Sequence, residues 1–146
     1  MTGSRSSLRA KGVGLVELLM VLFAASLLAA FALPRYQEHL RAGRRAEART
    51  GLMRAAQWLE RHATERGRYP EDAAALPASM AHVPSAAYRI TFLPGGSAGS
   101  GYTLTALPQG PQAADRCGAF TLAHTGLQGL AARDASPRLV AECWNR

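Results

Sequence analysis

The sequence predicts an α+β fold, in which a long N-terminal α-helix packs against a small antiparallel β-sheet of about four strands. An uninterrupted apolar stretch, residues 13–33, is followed at 34–66 by residues that favour helix. Short segments after residue 87 alternate apolar and polar side chains, as strands do. The helix should therefore have a membrane-spanning half and a packed half, with the sheet covering the packed half.

The apolar stretch holds twenty-one residues and one charged side chain, Glu17. As a helix rising about 1.5 Å per residue it would be about 31 Å long, enough to cross a bilayer core of about 30 Å. A carboxylate in a lipid-facing helix costs roughly 2.5 to 3.5 kcal/mol. A cut between Gly12 and Val13 would create an α-amino group one helical turn from Glu17. That cation could neutralise Glu17 of its own chain or of a neighbour.

The segment KGVGLVE at residues 11–17, followed by apolar residues and Pro34, resembles the prepilin signal of type IV pilins and pseudopilins. In that family a membrane aspartyl peptidase cuts after the glycine and methylates the new N terminus. The resemblance implies cleavage between Gly12 and Val13, N-methylation of Val13, and a role for Glu17 in docking the subunit into a helical filament. Val13 departs from the family, which usually has Phe at this position.

An ordinary secretory signal is the alternative, because the AFA at residues 30–32 resembles the cleavage site of a general signal peptidase. The apolar stretch exceeds the usual length of about 7 to 15 residues for such signals. A carboxylate in its middle would also serve no purpose in a discarded segment. The residues therefore favour the prepilin interpretation.

Composition divides the chain into four regions. Three basic residues in the first twelve fit the positive-inside rule, which keeps the N terminus cytoplasmic and sends the rest across the membrane. After them, fourteen arginines face ten acidic residues, a net charge of about +4. The predicted regions are a leader at 1–12, a transmembrane and assembly helix at 13–33, an amphipathic helix at 34–66 and a globular head at 67–146.

The amphipathic helix carries one stripe that changes character along its length. The stripe consists of Arg41, Arg45, Ala48, Leu52, Ala56, Leu59 and Ala63. Its later residues can pack against a head, whereas arginines would be destabilising in a core. We therefore expect the part of the helix before Ala48 to protrude from the globular head. Its arginines would lie near lipid headgroups before assembly and near neighbouring subunits afterwards.

Four strands are predicted at residues 88–93, 102–107, 119–124 and 127–131. A Gly/Ser-rich connection should join the first two as an antiparallel hairpin. Within it, Gly95 to Gly99 match the G-x-S-x-G pattern of a hydrolase nucleophile elbow around Ser97. The elbow requires a helix after it, and here a strand is expected, so no catalytic residue is assigned.

Cys117 and Cys143 both lie in the part predicted to be translocated, where a pair of cysteines indicates a disulfide. Closing a loop of about 25 residues would stabilise the fold by roughly 3.5 kcal/mol. Trp144 should cover the disulfide and the edge of the core. The four histidines are scattered and no cysteine has a partner at metal-ligand spacing, so we expect no metal site and no cofactor.

Beyond the N-terminal signal, the GRYP at residues 67–70, the CG at 117–118 and the terminal CW at 143–144 resemble minor pilins of the PilE kind. These occur in the type IV pili of Gram-negative bacteria. The resemblance implies a structural subunit without enzymatic activity, with other pilins and the prepilin peptidase as partners. It would sit in the inner membrane, N terminus cytoplasmic, before assembly and in the extracellular pilus afterwards.

Two other functions remain open from the sequence. One is a pilin that binds DNA for uptake, with Arg89, Arg116, Arg133 and Arg138 as candidate contacts, although no alternating aromatic and basic stripe specifies it. The other is a pseudopilin of type II secretion, whose major members hold calcium through clustered oxygen ligands. The acidic residues after Asp72 are too dispersed to favour that alternative.

Overall fold

The computed structural model describes residues 14–96, 99–132 and 134–145. The chain forms two compact units that meet between Glu38 and His39. The predicted cleavage and methylation site at Gly12 and Val13 lies outside the described residues.

Helix α1, Leu15–Arg66, runs through both units and contains Pro34 without ending there. Every residue from 14 to 38 is exposed. By length and composition alone this helix could cross a membrane. Gly67, with a positive φ of 76°, follows the last turn, and its N–H bonds to the carbonyl of Ala63, which is a common way for a helix to end.

The second unit contains a four-stranded antiparallel sheet in which neighbours in sequence are neighbours in space. Its strands are β1 (Tyr88–Gly95), β2 (Gly101–Pro108), β3 (Phe120–Ala123) and β4 (Gln128–Leu130). Opposite Leu104 of β2 lie Phe92 of β1 and Leu122 of β3, all three buried. The predicted fold class, a long helix with a four-stranded antiparallel sheet, is confirmed.

The core forms between the sheet and one face of α1. Leu52 and Leu59 of the helix and Tyr88, Leu104 and Phe120 of the sheet are fully buried. Burial of a large apolar side chain contributes about 1.5 to 3 kcal/mol, so this contact is the main source of stability of the second unit. Ala55 is fully buried, whereas Ala56 of the predicted stripe is only partly buried.

The prediction that the arginines before Ala48 lie outside the packed region is wrong for Arg45. Arg45 is only 4% exposed, because Asp115 supplies a buried carboxylate that pairs with its guanidinium. Charged side chains are rarely buried unless paired, and the partner lies 70 residues away in sequence. The spacing of helix residues cannot reveal such a pair.

The C-terminal segment, for which the sequence pattern predicts no helix, forms helix α2, Pro137–Asn145. Ser136 caps it, since its side-chain oxygen accepts a hydrogen bond from the N–H of Leu139 at 3.2 Å. Pro137 occupies the first helical position, where its missing N–H is not needed. In the described residues, the connections include the short 3-10 helices Ala73–Ala75, Ala78–Met80 and Gly110–Ala114.

Candidate functional site

Glu17 lies in the first turn of α1, where the N–H of Leu18 bonds to the carbonyl of Gly14. A carboxylate is favoured near a helix N terminus because the helix dipole places partial positive charge there. Its surroundings along the helix are exposed apolar side chains, including Leu15, Val16 and Leu18. Glu17 is therefore a carboxylate on a helix surface that offers apolar contacts to lipid or to another chain.

Arg45 and Asp115 form a buried ion pair between α1 and the segment before β3. Arg45 Nε donates to Asp115 Oδ1 at 3.1 Å and Oδ2 at 3.0 Å, and Nη2 donates to Oδ2 at 2.7 Å. The carboxylate also accepts the N–H of Cys117 at 2.8 Å. The buried charges are thus paired and hydrogen-bonded, which is the condition for tolerating them in a core.

Arg49, one helical turn after Arg45, holds the end of α2. Its Nη1 donates to the carbonyl oxygens of Cys143 at 2.9 Å and Trp144 at 2.8 Å. A cation is favoured at a helix C terminus, where unpaired carbonyls carry partial negative charge. Burial disfavours the charged guanidinium and, together with the nearby Arg45, lowers the pKa of Arg49.

Cys117 and Cys143 form a disulfide, and both are 1% exposed. Arg45 fastens the segment at Cys117 to α1, and Arg49 fastens the segment at Cys143 to the same helix. Trp144 packs edge-on against Phe120, with ring centroids 5.6 Å apart, and covers the edge of the core as predicted. The disulfide loop, defined here as residues 117–143, is therefore anchored at both ends.

Glu60 links the upper part of α1 to the rest of the second unit. Its carboxylate accepts hydrogen bonds from the hydroxyls of Tyr102 at 2.9 Å and of Tyr69 at 2.9 and 3.1 Å. Burial, followed by the hydrogen bond to Glu60 and its negative charge, raises the pKa of both tyrosines. Sequence reasoning missed this cluster, because only the fold brings β2 next to the helix.

Of the four arginines proposed for DNA contact, the three that the structure describes do not form one cluster. Arg89 lies exposed on β1, at one edge of the sheet. Arg116 and Arg138 converge on Glu142, with Arg116 Nη1 3.3 Å from Oε2 and Arg138 Nε 3.4 Å from Oε1. Glu142 belongs to α2, which contacts β4 at the opposite edge. Arg133 lies outside the described residues.

The G-x-S-x-G segment begins at the last residue of β1 and is followed by β2, so a strand comes after it and not the helix that a nucleophile elbow requires. Ser97 and Ala98 lie outside the described residues. Within the part of the chain that the structure describes, no three His, Cys, Asp or Glu side chains are grouped so that they could hold a metal ion.

A long N-terminal helix, a four-stranded antiparallel sheet packed on its second half and a C-terminal disulfide loop define the class of type IV pilins. The structure of a type IV pilin from Shewanella oneidensis is similar to the chain, with 33% sequence identity and a TM-score of 0.51. The similarity covers 66% of this chain and 98% of that pilin. A comparison with curated proteins gives no match.

Residues 34–121 match the family model described as type IV minor pilin ComP, DNA uptake sequence receptor. The match spans more than half of the chain, and the chain therefore belongs to this family of type IV minor pilins. Its function is that of a minor pilin, a structural subunit that takes part in the assembly of a type IV pilus. The resemblance to type IV minor pilins noted in the sequence is thereby confirmed.

Proposed function

We propose that this minor pilin matures by cleavage between Gly12 and Val13 with methylation of Val13, and enters the filament through Glu17. Before assembly its apolar helix spans the inner membrane with the N terminus in the cytoplasm, and afterwards the head is displayed on the extracellular pilus. One observation carries the proposal. Between Gly14 and Pro34, Glu17 is the one charged residue on a helix whose side chains are all exposed.

The physical reason is that both the apolar side chains of this segment and the carboxylate of Glu17 need a partner. Lipid covers the apolar side chains before assembly, and outside the membrane neighbouring subunits must take its place, because exposing each large apolar side chain to water would cost about 1.5 to 3 kcal/mol. Glu17 cannot enter such an apolar interface alone, since a lone carboxylate there is costly. The α-amino group of Val13 supplies the opposite charge, in the same chain or in an adjacent subunit.

Substitution of Glu17 by Gln in the full chain tests this proposal, with incorporation into sheared pili measured by immunoblot. The variant should accumulate in the membrane fraction and be reduced at least tenfold in the pilus fraction. Glu65→Gln, which removes an exposed carboxylate from the second unit, is the matched control and should incorporate normally. Equal incorporation of the Glu17 variant and the control would contradict the proposal.

DNA binding by the head is a second candidate function, favoured by the description of the matching family as a DNA uptake sequence receptor. Arg89, Arg116 and Arg138 lie exposed on the head, and Arg133 is the fourth candidate. Guanidinium groups recognise phosphates through paired N–H donors, and their contacts make binding dependent on salt. The spread of these arginines over two edges of the sheet fits contacts along a backbone better than a closed pocket.

Fluorescence anisotropy of labelled duplex DNA with the full chain in detergent micelles tests this second function. Affinity should fall steeply as salt rises from 50 to 200 mM, because each phosphate contact releases counterions. Replacing Arg89, Arg116 and Arg138 by Gln should weaken binding at least tenfold. Absence of binding by the unaltered chain at low salt would contradict the proposal that the head binds DNA.

A further inference from the structure

We propose that Glu142 competes with DNA phosphates for Arg116 and Arg138, and so sets how tightly and how salt-dependently this edge of the head binds DNA. The inference rests on the proposed DNA-binding function. It assigns the role to a carboxylate that makes no contact with DNA and acts by occupying the two guanidinium groups.

The disulfide brings Arg116 and Glu142 together. Each residue directly precedes a half-cystine, Cys117 or Cys143, and the two cysteine Cα atoms are 5.9 Å apart. As a result, side chains 26 positions apart in sequence come within ion-pair distance, with Arg116 Nη1 3.3 Å from Glu142 Oε2. The pair is thus a direct consequence of the cross-link.

The second guanidinium reaches Glu142 along α2. Arg138 and Glu142 are four residues apart in the helix, a spacing that places both side chains on the same face. Arg138 uses the other carboxylate oxygen, with Nε 3.4 Å from Oε1. Each oxygen of this carboxylate therefore lies within ion-pair distance of a different arginine.

The three side chains remain accessible to a ligand. Arg138 is 90% exposed, Arg116 is 56% exposed and Glu142 is 27% exposed. Ion pairs at such exposure are weak, since water screens the charges. A phosphate group, which a guanidinium binds through two parallel hydrogen bonds, can therefore displace Glu142 from either arginine.

The backbone that carries Arg116 is held in place, although its side chain is exposed. Asp115 on one side is paired with Arg45, and Cys117 on the other side donates its N–H to the Asp115 carboxylate. The N–H of Gly118 bonds to the carbonyl of Asp115 and closes the turn. Competition at this site therefore involves side-chain movement on a fixed support.

The stability of α2 does not account for Glu142. The residue lies in the last turn of α2, Pro137–Asn145, where the helix dipole disfavours a negative charge. A neutral side chain at this position would suit the isolated helix better. The pair with Arg138 within α2 offsets this disadvantage, and the contact with Arg116, which lies outside α2, gives the carboxylate a role that helix formation does not require.

The test compares the full chain and its Glu142→Gln variant in detergent micelles, with binding of labelled mixed-sequence duplex DNA measured by anisotropy between 50 and 200 mM salt. The variant should bind about threefold to tenfold more tightly at the lowest salt, because both guanidinium groups are released for phosphate contacts. The slope of log affinity against log salt should steepen by about one for an added phosphate contact.

Glu65→Gln is the matched control. It makes the same change in net charge, and in the described part of the chain Glu65 forms no ion pair. It should alter affinity less than twofold. Adding Glu142→Gln to a variant that already carries Arg116→Gln and Arg138→Gln should also have less than a twofold effect. Far-ultraviolet circular dichroism should show that every variant keeps the fold.

The outcomes separate the inference from the function on which it rests. Tighter binding and a steeper salt slope for Glu142→Gln alone support the competition. If the unaltered chain binds DNA but Glu142→Gln matches the Glu65→Gln control, the competition is overturned and DNA binding stands. If neither the unaltered chain nor the variant binds at 50 mM salt, both are overturned.

Discussion

The two halves of helix α1 differ in how far the rest of the chain buries their side chains. From residue 14 to 38 every residue is exposed, although most of the stretch is apolar. From residue 39 to 66 one face of the helix is buried in the second unit, and Leu52 and Leu59 on that face are fully buried. The first half thus needs lipid or other subunits, whereas the second half finds its partners within the same chain.

The two halves also differ in where their charged side chains find a partner of opposite charge. Glu17 sits on the apolar half with its proposed partner, the α-amino group of Val13, created by processing. Arg45 on the packed half has a partner built into the fold, the carboxylate of Asp115. One helix can therefore combine the assembly role that we propose for its first half with the stabilising role of its second half.

The largest effect should come from Arg45→Ala, which leaves Asp115 buried without its guanidinium. Loss of one partner of a buried pair costs about 3 to 5 kcal/mol in free energy of unfolding. Urea denaturation of the full chain in detergent measures it. Arg44→Ala is the control, with an expected change within about 0.5 kcal/mol. Similar losses for both variants would contradict the assigned role of the Arg45 pair.

Removing the disulfide by replacing Cys117 and Cys143 with Ser should lower the free energy of unfolding by about 3.5 kcal/mol, the chain-entropy value for a loop of this length. The same denaturation experiment tests it, and reduction of the unaltered chain after unfolding provides the control. An unchanged transition midpoint would show that the anchors at Arg45 and Arg49 hold the loop without the cross-link.

A smaller effect is expected for Tyr102→Phe, which removes a hydrogen bond to the charged Glu60 and should cost about 1.5 to 3 kcal/mol at neutral pH. The raised pKa of Tyr102 also makes the stability of the fold depend on pH.

The folded state retains the phenolic proton of Tyr102 more tightly than the unfolded state, so the free energy of unfolding should fall as pH rises above about 10. The variant should lose less stability than the unaltered chain between pH 9 and 11. An equal alkaline loss would contradict the assignment.

The smallest effect should come from Ser136→Ala, because it removes only the N-cap of α2. Such caps contribute about 1 kcal/mol. Thermal unfolding followed by circular dichroism measures it, and Ser136→Asp, which keeps a capping oxygen, should restore the midpoint. A variant with Ala that unfolds at the same temperature as the Asp variant would argue that the disulfide alone positions α2.

Local patterns in the sequence were enough to predict the helix and the sheet. A single apolar stretch predicted the exposed half of α1, and alternating side chains predicted the hairpin of β1 and β2 within two residues at each end. Both signals lie within a few neighbouring positions, where periodicity carries the information. The nine-residue helix α2 was missed, because short helices depend on tertiary contacts and its signal, Ser136 before Pro137, is only two residues long.

The polar contacts of the second unit could not be predicted in the same way. Arg45 with Asp115 and Glu60 with Tyr102 join positions 70 and 42 residues apart, so only the folded chain identifies them. Gly51 lies inside α1, where a glycine ordinarily weakens a helix, and a Cβ there would lie 2.5 Å from Cδ1 of Ile90. The glycine therefore leaves room for the side chain of Ile90 against α1, which is information about packing and not about helix propensity.

The most direct test of the account is mass spectrometry of the N-terminal peptide of the subunit recovered from purified pili. The account predicts a peptide that begins at Val13, carries one methyl group on its α-amino nitrogen and continues through Glu17. A subunit that begins at Leu33, after the AFA at residues 30–32, would lack the exposed apolar half of α1 and would contradict the account.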